Sequence, residues 1–460
     1  MASTFARFAA VLLVAAPLAA GELRVGAAAV KITPPQGMPM AGYYYNRAAA
    51  GVHDDLHAKA LVFEQDGAKA ALVACDLASV PRSVVEEARR IIETSTGIAA
   101  GRVMISATHT HTGPSFPGRT SRDDKVAATL GIAQQYVADL PLKIADSVRR
   151  ADAALAPARI SAAVGREESL AFNRRYFMKD GSVGWNPGKL NPNIVKPAGP
   201  IDPAVPVVYI DTPEGKPLAT YVNYAMHLDT VGGEQFSADY PYTLATLLGK
   251  LKSPEMLTVF TMGTSGNVNH LNVKTRDRQK GHEEAARIGT VLAGEVLKTY
   301  TRLEPLATAA PAARSEIVKL PLAAFQPGDM EKARALASKF GEPNAAPFMD
   351  LVWAFKVQDV ARREGQPIEA EVQAIALGNQ LAWVGLAGEI FVELGQAIKQ
   401  ASPFPYTVVA SLSNGSVGYV PNRKAYPEGA YEVVSARGAA GSGEMLVDAA
   451  LRLLKELQPK

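Results

Sequence analysis

Two histidines separated by one residue are the first feature of the sequence that suggests chemistry. His109 and His111 lie in the run THTHTGP at residues 108–114, directly after a short apolar stretch. If the strand continued, alternation would place both side chains on one face. Two imidazoles on one face suit a metal ion, and the following Gly-Pro ends regular structure and leaves the site open. A surface or hydrogen-bonded pair of histidines is the alternative.

Other candidate ligands also follow predicted strands. His227 comes after a predicted strand at residues 219–225, and Asp229 is placed to orient it or another ligand. Glu389 lies between a predicted strand and a predicted helix, where a carboxylate is either a helix cap or a ligand, and spacing alone favours the cap. His270 ends a Gly/Asn-rich turn of a kind that directs backbone N–H groups toward an anion.

The elements that must position these residues alternate between strands and helices. Strands are predicted at residues 56–63, 69–75, 102–107, 219–225, 257–261, 369–376, 381–386 and 408–412. Helices are predicted at residues 84–92, 127–154, 283–300, 391–400 and 440–457. This alternation favours an α/β fold, in which functional sites gather at the carboxyl ends of strands. Residues 305–366 give no readable pattern.

The composition is that of a folded, exported protein. The chain has 460 residues, of which 48% are hydrophobic and 20% charged, and this is enough for a packed core. A net charge of +3 without a dense Lys/Arg cluster gives no basis for nucleic-acid binding. Residues 1–21 have the layout of a cleaved signal peptide, so a periplasmic or secreted protein is expected. A retained N-terminal anchor is the alternative.

A single cysteine helps to decide between kinds of metal chemistry. Cys75 lies in an apolar run and is expected to be a buried hydrophobic residue without a disulfide. The chain therefore has no set of soft sulfur ligands, which favours metal-assisted hydrolysis over redox chemistry. From the residues alone, the sequence predicts an exported α/β protein with a histidine-rich metal site.

Several segments, taken in order, resemble the neutral (non-lysosomal) ceramidase family. The similar segments are VGAAAVKITP at 25–34, GVHDDLHAKA at 51–60, SATHTHTGP at 106–114, FNRR at 172–175, NYAMH at 223–227, SADYP at 237–241, AGE at 387–389, and Tyr419, Tyr426 and Tyr431-Glu432. Each segment is short, and their shared order makes the resemblance specific. It implies an α/β fold with a mixed-sheet core and surrounding helices, like that of the ceramidase catalytic domain.

The resemblance also implies a zinc site and roles for other residues. The family's zinc ligands, two His, one Glu and one Tyr, fall on His109, His227, Glu389 and Tyr419. By the same resemblance, His111 stabilises the charged intermediate, and Arg174 and Tyr431 line the substrate site. A Zn²⁺-dependent amide hydrolase of sphingolipid metabolism is therefore implied, acting through a metal-activated water. Its substrate would be a small-molecule or lipid N-acyl compound, and contact with a membrane surface would give access to a lipid.

The turn at residues 266–271 departs from the family pattern. Asn269 stands where the family has a catalytic Ser, and an amide cannot act as a base or a nucleophile. His270, beside it among the candidate catalytic residues, is then a candidate proton shuttle, with a structural role as the alternative. Alternative functions are hydrolysis of a non-ceramide ester, lactone or small amide, or metal or lipid binding without catalysis. The family's C-terminal immunoglobulin-like domain is not expected, so residues 22–460 are predicted to form one hydrolase domain.

Overall fold

The structure is a computed structural model that describes residues 21–117, 120–127, 131–341 and 346–458. The predicted signal peptide lies outside these residues, apart from Gly21. Within them, no helix combines the length and the apolar character needed to cross a membrane. The helices are α1 (Arg82–Thr96), α2 (Ser121–Ala127), α3 (Gly131–Ala153), α4 (Tyr240–Leu251), α5 (His282–Thr299), α6 (Asp329–Ser338), α7 (Phe348–Ala361), α8 (Val392–Ala401), α9 (Ala430–Ser435) and α10 (Ser442–Leu457).

Most strands belong to three large mixed sheets. The strands are β1 (Arg24–Lys31), β2 (Gly51–Val52), β3 (His57–Gln65), β4 (Ala68–Cys75), β5 (Val103–Ala107), β6 (Ala156–Pro157), β7 (Arg159–Arg166), β8 (Phe172–Asn173), β9 (Arg175–Met178), β10 (Val183–Trp185), β11 (Ile194–Pro197), β12 (Ala204–Asp211), β13 (Pro217–Tyr224), β14 (Gln235–Phe236), β15 (Leu257–Met262), β16 (Val268–Asn269), β17 (Glu304–Pro305), β18 (Ala312–Leu320), β19 (Ile368–Leu377), β20 (Leu381–Leu386), β21 (Glu389–Ile390), β22 (Tyr406–Ala410) and β23 (Tyr419–Val420). The large sheets have the strand orders β5-β4-β3-β1-β6, β15-β13-β12-β7-β17 and β18-β19-β20-β22. The remaining strands of the described residues form short two- and three-stranded sheets.

Local sequence signals determine where the first elements turn. The hairpin between β3 and β4 closes at Asp66 and Gly67, which have φ angles of 54° and 75°. Positive φ at both central residues matches the right-handed twist of the flanking strands. Helix α1 ends at Gly97, which adopts the left-handed conformation and donates its N–H to the carbonyl oxygen of Glu93 at 3.0 Å. The predicted hairpin and helix end are therefore confirmed.

Each large sheet contains one parallel pair of neighbouring strands, and these pairs position the candidate ligands. The parallel pairs are β4 with β5, β13 with β15, and β20 with β22. His109 follows β5, His227 follows β13, and Glu389 follows β20. Each sheet thus supplies one candidate ligand. The three strands end in the same region of the molecule, so the three side chains lie close together. The three candidate ligands therefore lie beyond strand ends, as the sequence predicts.

One apolar cluster holds the three sheets together. Trp383 of β20 is 1% exposed, and its ring centroid lies 5.5 Å from that of Phe63 in β3 and 6.0 Å from that of Tyr221 in β13. These three rings come from three different sheets. Truncating a buried aromatic of this size to Ala typically costs about 3–5 kcal/mol. The packing that stabilises the fold therefore also fixes the relative positions of the strand ends.

The unreadable region at residues 305–366 contains β18, α6 and α7. Helix α7 carries apolar residues on several sides, because it packs between α6, α9 and α2. An all-round apolar helix of this length lacks the single-face periodicity that marks a surface helix. Its inner side carries Phe355 and Asp359, which are 2% and 7% exposed. The segment that sequence patterns could not interpret therefore forms one wall near the candidate site.

Candidate metal centre

Four side chains from distant parts of the chain converge beyond the strand ends. Glu389 Oε2 lies 3.3 Å from His109 Nε2 and 3.2 Å from His227 Nε2. The Tyr419 hydroxyl lies 3.4 Å from His227 Nε2. When four ligand atoms surround a zinc ion at about 2.0–2.1 Å in a regular tetrahedron, they lie roughly 3.3–3.4 Å from one another. The donor types and these three separations therefore fit a zinc ion held by the four side chains.

Both candidate ligand histidines are fixed in the tautomer that a metal requires. His109 Nδ1 donates to the carbonyl oxygen of Ala78 at 2.8 Å, and His227 Nδ1 donates to that of Ser265 at 2.8 Å. A proton held on Nδ1 leaves the Nε2 lone pair free. In each ring this lone pair is on the atom that approaches Glu389. The backbone carbonyls thus orient the imidazoles toward a common point.

A turn, and not strand alternation, brings His109 and His111 together. Strand β5 ends at Ala107, and His109 has a φ of 75°, in the left-handed region that non-glycine residues rarely adopt. His109 Nε2 and His111 Nε2 are 3.3 Å apart. With His227, the two form a group whose ligand atoms lie within 4.8 Å of one another. The sequence argument from an extended strand was therefore wrong in its geometry, although the side chains do converge.

Hydrogen bonds from neighbouring elements support this turn. The hydroxyls of Thr110 and Thr112 both donate to the carbonyl oxygen of Ser237, at 2.6 and 2.9 Å. Asp54 in turn accepts from the Ser237 hydroxyl at 2.6 Å and from the Ala238 N–H at 2.7 Å. The SADYP segment therefore acts as a buried support for the histidine turn.

Glu389 does not cap helix α8. The residue at the N-cap position is Phe391, which has no side-chain capping bond. Glu389 instead pairs with Tyr419 across the parallel strands β21 and β23. The turn before β16 approaches this pair closely, because a Cβ atom at Gly266 would lie 2.4 Å from the Glu389 carbonyl oxygen. The helix-cap interpretation is therefore wrong, and Gly266 is needed for the close approach.

The electrostatics of the group also suit a metal ion. Burial alone would raise the pKa of Glu389, but the interactions with His109 and His227 outweigh burial and hold it well below its usual value. Burial lowers the pKa of His227 to about 4 and also lowers that of His111. At neutral pH the Glu389 carboxylate is then ionised, and the imidazoles of His227 and His111 are neutral. These are the protonation states that metal ligation requires.

Arg174 lies behind the candidate ligands and not in a cavity wall. Its Nε donates to Glu432 Oε1 and its Nη2 to the carbonyl oxygen of Gly266, each at 2.7 Å. The guanidinium carbon is 5.4 Å from the Tyr419 ring centroid and 5.8 Å from that of Tyr431. Arg174 is 3% exposed. The geometry therefore gives it a role in positioning the two tyrosines more directly than in touching a substrate.

A cavity of about 80 Å³ opens onto the group. His109, His111, Glu389, Tyr419 and Tyr431 all line it. Other wall residues belong to no motif in the sequence: Tyr44, Thr120, Arg122, Phe355, Asp359, Ser435 and Arg437. Arg437 and Asp359, which are 78 positions apart in the sequence, form an ion pair at 2.6 Å. Such a pair leaves no local pattern in a single sequence, so no motif could have revealed it.

Asp229 contacts His111 and not His227. Its Oδ1 lies 3.7 Å from His111 Nδ1 and accepts a hydrogen bond from the Tyr43 hydroxyl at 2.9 Å. Burial would raise the pKa of Asp229, but its interactions with His111, His270 and Lys280 and the hydrogen bond from Tyr43 together hold it below its usual value. An ionised carboxylate beside Nδ1 favours the proton on that nitrogen. The sequence left open whether Asp229 orients His227 or another residue, and the geometry supports His111.

Asn269 and His270 organise the turn and are not among the residues that line the cavity. The Asn269 side chain donates to Asn186 Oδ1 at 3.2 Å and accepts from the Leu271 N–H at 3.1 Å. His270 Nε2 donates to the Gln279 carbonyl oxygen at 2.7 Å. For His270, the geometry therefore supports the structural alternative over the proton shuttle. The Asn269 side chain likewise bonds to Asn186 and to the Leu271 N–H and does not line the cavity, so it does not take the place of a catalytic Ser.

Comparison with known proteins supports the family resemblance. Residues 23–178 match the model of the neutral/alkaline non-lysosomal ceramidase family, N-terminal part. The fold is similar to the crystal structure of neutral ceramidase from Pseudomonas aeruginosa, with a TM-score of 0.74 and 20% identity, over 96% of this chain and 76% of that one. It is also similar to a ceramidase complexed with C2, with a TM-score of 0.73 and 18% identity over the same shares.

The curated proteins compared with the sequence gave no significant match. At 18–20% identity, the likeness to the two solved structures concerns the fold. It confirms the predicted mixed α/β architecture, and the family match confirms the resemblance first seen in short motifs. Residues 23–178 therefore match the N-terminal model of the neutral/alkaline non-lysosomal ceramidase family, and the overall fold is similar to that of neutral ceramidase.

Proposed function

We propose that this protein is a periplasmic or secreted, zinc-dependent hydrolase that cleaves the amide bond of an N-acyl compound. The observation that carries the proposal is the convergence of Glu389 Oε2 with two histidine Nε2 atoms at 3.2 and 3.3 Å. The family match over residues 23–178 supports the reaction class. The proposed metal ligands are His109, His227, Glu389 and Tyr419. Residues 22–460 form the proposed hydrolase domain after removal of a signal peptide.

Zinc held by these ligands supplies Lewis acidity and lowers the pKa of a water molecule toward about 7. The chain's own residues then handle the proton. His111 Nε2 is 3.3 Å from His109 Nε2, so it lies next to the metal position. The Asp229 carboxylate, 3.7 Å from His111 Nδ1, favours a proton on that nitrogen, so that the Nε2 lone pair can take up a proton from the water. Once protonated, His111 can donate a hydrogen bond to the developing oxyanion.

Tyr431 is the second proposed donor to the oxyanion. It lines the same cavity, and its ring centroid is 5.3 Å from that of Tyr419. Burial raises the pKa of Tyr431, so its hydroxyl stays protonated and able to donate. An oxyanion-hole donor of this kind typically contributes about 3–4 kcal/mol to transition-state stabilisation. Arg174 holds both tyrosines from behind, through its pair with Glu432.

The proposed substrates are N-acyl compounds, either ceramide or another extracellular amide, and a lipid substrate would be met at a membrane surface. Turnover of a fluorescent short-chain ceramide should be compared with that of water-soluble acyl amides and esters. Hydrolysis of amides is expected. Hydrolysis of esters alone would replace the amide assignment with the ester or lactone alternative. No hydrolysis of any substrate by zinc-loaded protein would favour a binding protein without catalysis.

Metal removal tests the zinc part of the proposal separately. Purified protein is expected to hold about one zinc ion per chain, as four protein ligands imply. Dialysis against a chelator should abolish activity, and added Zn²⁺ should restore it while Mg²⁺ or Ca²⁺ should not. Their preference for oxygen ligands makes restoration by those ions unexpected. Full activity in metal-free protein would overturn the proposed mechanism.

A further inference from the structure

The space at the candidate metal site is small. The cavity onto which His109, Glu389 and Tyr419 open has a volume of about 80 Å³. For scale, an apolar cavity of about 150 Å³ holds one benzene molecule. The part of a substrate that lies against the metal ligands is therefore closely confined, and a long alkyl chain would have to extend out of this space.

A larger cavity adjoins the small one. Its volume is about 510 Å³, and it shares Thr120, Gly418 and Arg437 as wall residues with the small cavity. Gly418 directly precedes the candidate ligand Tyr419. A substrate whose scissile bond lies at the metal site can therefore extend along these shared walls into the larger space.

The walls of the larger cavity are polar. Six of its wall residues are charged: Arg82, Glu86, Arg363, Glu369, Glu371 and Arg437. Four more carry hydroxyl or amide groups, and only three are aliphatic. An alkyl chain placed here would remove water from these polar groups without replacing their hydrogen bonds, which is unfavourable. Cavities that bind lipid chains are predominantly apolar, so this one is suited to a different occupant.

The charges in these walls are of both signs. Arg82 is shared between Glu86 and Glu369, at 2.7 and 3.1 Å. Arg363 donates to the carbonyl oxygens of Gln366 and Pro367, at 3.3 and 2.8 Å. Arg363 forms no ion pair with a carboxylate in the part of the chain that the structure describes. The cavity thus offers both donors and acceptors to a polar or zwitterionic group.

We infer that the amide cleaved at this site has a short acyl group and a polar amine portion, and is not a long-chain ceramide. The acyl group is assigned to the small cavity and the amine portion to the larger one. The amine is the part that leaves once the carbon–nitrogen bond breaks and the nitrogen takes up a proton, and the larger cavity gives it room to do so. This inference rests on the proposed amide hydrolysis and specifies its substrate class.

The inferred substrate class can be tested with four amides in which the acyl group and the amine portion are varied independently. They are N-acetylserine, N-palmitoylserine, N-acetylsphingosine and N-palmitoylsphingosine. All are presented to zinc-loaded protein in the same detergent, so that solubility does not decide the result. The kcat/KM for N-acetylserine is expected to be the highest, exceeding that for N-palmitoylsphingosine by at least about tenfold. A preference for either sphingosine amide would overturn the polar-amine assignment, and a preference for either palmitoyl amide the short-acyl one. Hydrolysis of none of the four would overturn the proposed function itself, and this inference with it.

A wall variant tests whether the larger cavity is the site of the polar portion. Arg363→Ala is expected to raise KM for N-acetylserine severalfold while kcat stays nearly constant, because Arg363 lines the larger cavity and not the one at the metal ligands. Arg452→Ala is the matched control, since Arg452 forms a surface ion pair with Glu316 and does not line the cavity. If the two variants give the same KM as the unchanged protein, the assignment of the larger cavity is wrong.

Discussion

Two groups of histidines in this molecule have similar components and different geometry. At the candidate metal centre, the rings of His109 and His227 have centroids 4.7 Å apart and planes at 79°. On another face, the rings of His53 and His282 are stacked, with centroids 3.7 Å apart and planes at 11°. Each group includes a carboxylate near a ring nitrogen, since His53 Nδ1 is 2.7 Å from Asp54. Residue types alone do not distinguish the two groups.

The orientation of the rings distinguishes them. Stacked imidazoles direct their nitrogen lone pairs within two parallel planes, so the lone pairs do not meet at one point. In the metal group, two backbone carbonyls hold the Nδ1 protons and rotate both Nε2 atoms toward one carboxylate. The His53 side chain is 39% exposed, whereas His227 is fully buried. A candidate metal site is therefore defined by converging, buried lone pairs and not by a count of histidines.

The largest expected difference between the groups is in zinc content. His227→Ala should lose bound zinc, and kcat/KM should fall by roughly a thousandfold or more because several kcal/mol of transition-state stabilisation go with the metal. His53→Ala should keep both zinc and activity. Elemental analysis and steady-state kinetics give the two readouts, and circular dichroism checks folding. Equal zinc content in the two variants would show that ring orientation does not distinguish a metal site from the stacked pair.

Asp54 connects the two groups, and its removal should affect stability strongly. Asp54→Ala leaves the Ser237 hydroxyl and the Ala238 N–H buried without their acceptor, which should cost about 2–3 kcal/mol. Glu316→Ala is the matched control, because Glu316 forms a surface pair with Arg452 that is worth at most about 1 kcal/mol. Urea denaturation of both variants measures the difference. Similar midpoints for the two would show that Asp54 is not the support that its contacts indicate.

A smaller effect is expected from loosening the histidine turn. Thr110→Val removes one of the two hydroxyl bonds to the Ser237 carbonyl and keeps the side-chain shape. Zinc affinity should fall by about tenfold, the lower end of effects seen when groups that orient metal ligands are removed. Competition with a chromophoric chelator measures this affinity. Thr290→Val, on the exposed side of α5, should leave it unchanged.

The smallest effect concerns the stacked pair and pH. Partial burial and the neighbouring His53 lower the pKa of His282 below its usual value. The unfolded chain then binds a proton more readily than the folded one, so stability decreases as the pH falls through the usual histidine range. His282→Gln should therefore lose less stability between pH 7.5 and pH 5.5, in the span around the usual pKa of about 6.5. Urea midpoints at both pH values test this, and an equal loss would contradict it.

Much of the scaffold follows from local sequence signals. The Asp66-Gly67 turn, the Gly97 helix end and the strand that delivers His109 are each determined by a few neighbouring residues. Cys75 is buried and unpaired, as an apolar run predicts. These features could be predicted because the physical reason for each one lies within a few positions of it.

The rest depends on distant contacts. Glu389 has the local sequence of a helix cap, and its actual partner His227 is 162 positions away. The left-handed backbone of His109 is stabilised by tertiary contacts that no H-x-H spacing indicates. Helix α7 has no amphipathic face because it is surrounded by other helices. Only the family resemblance, and no pattern in the residues themselves, pointed to Tyr419.

The spread of the candidate ligands along the chain has a consequence for how the protein matures. They span residues 109 to 419, so no early fragment of the chain contains the complete set. The proposed zinc ion could then bind tightly only after the segments that carry all four candidate ligands have been synthesised and have folded. A ligand that binds the native state alone, at a concentration a thousandfold above its Kd, shifts the folding equilibrium by about 4 kcal/mol. Metal supply would thus determine the amount of folded protein as well as its catalytic rate.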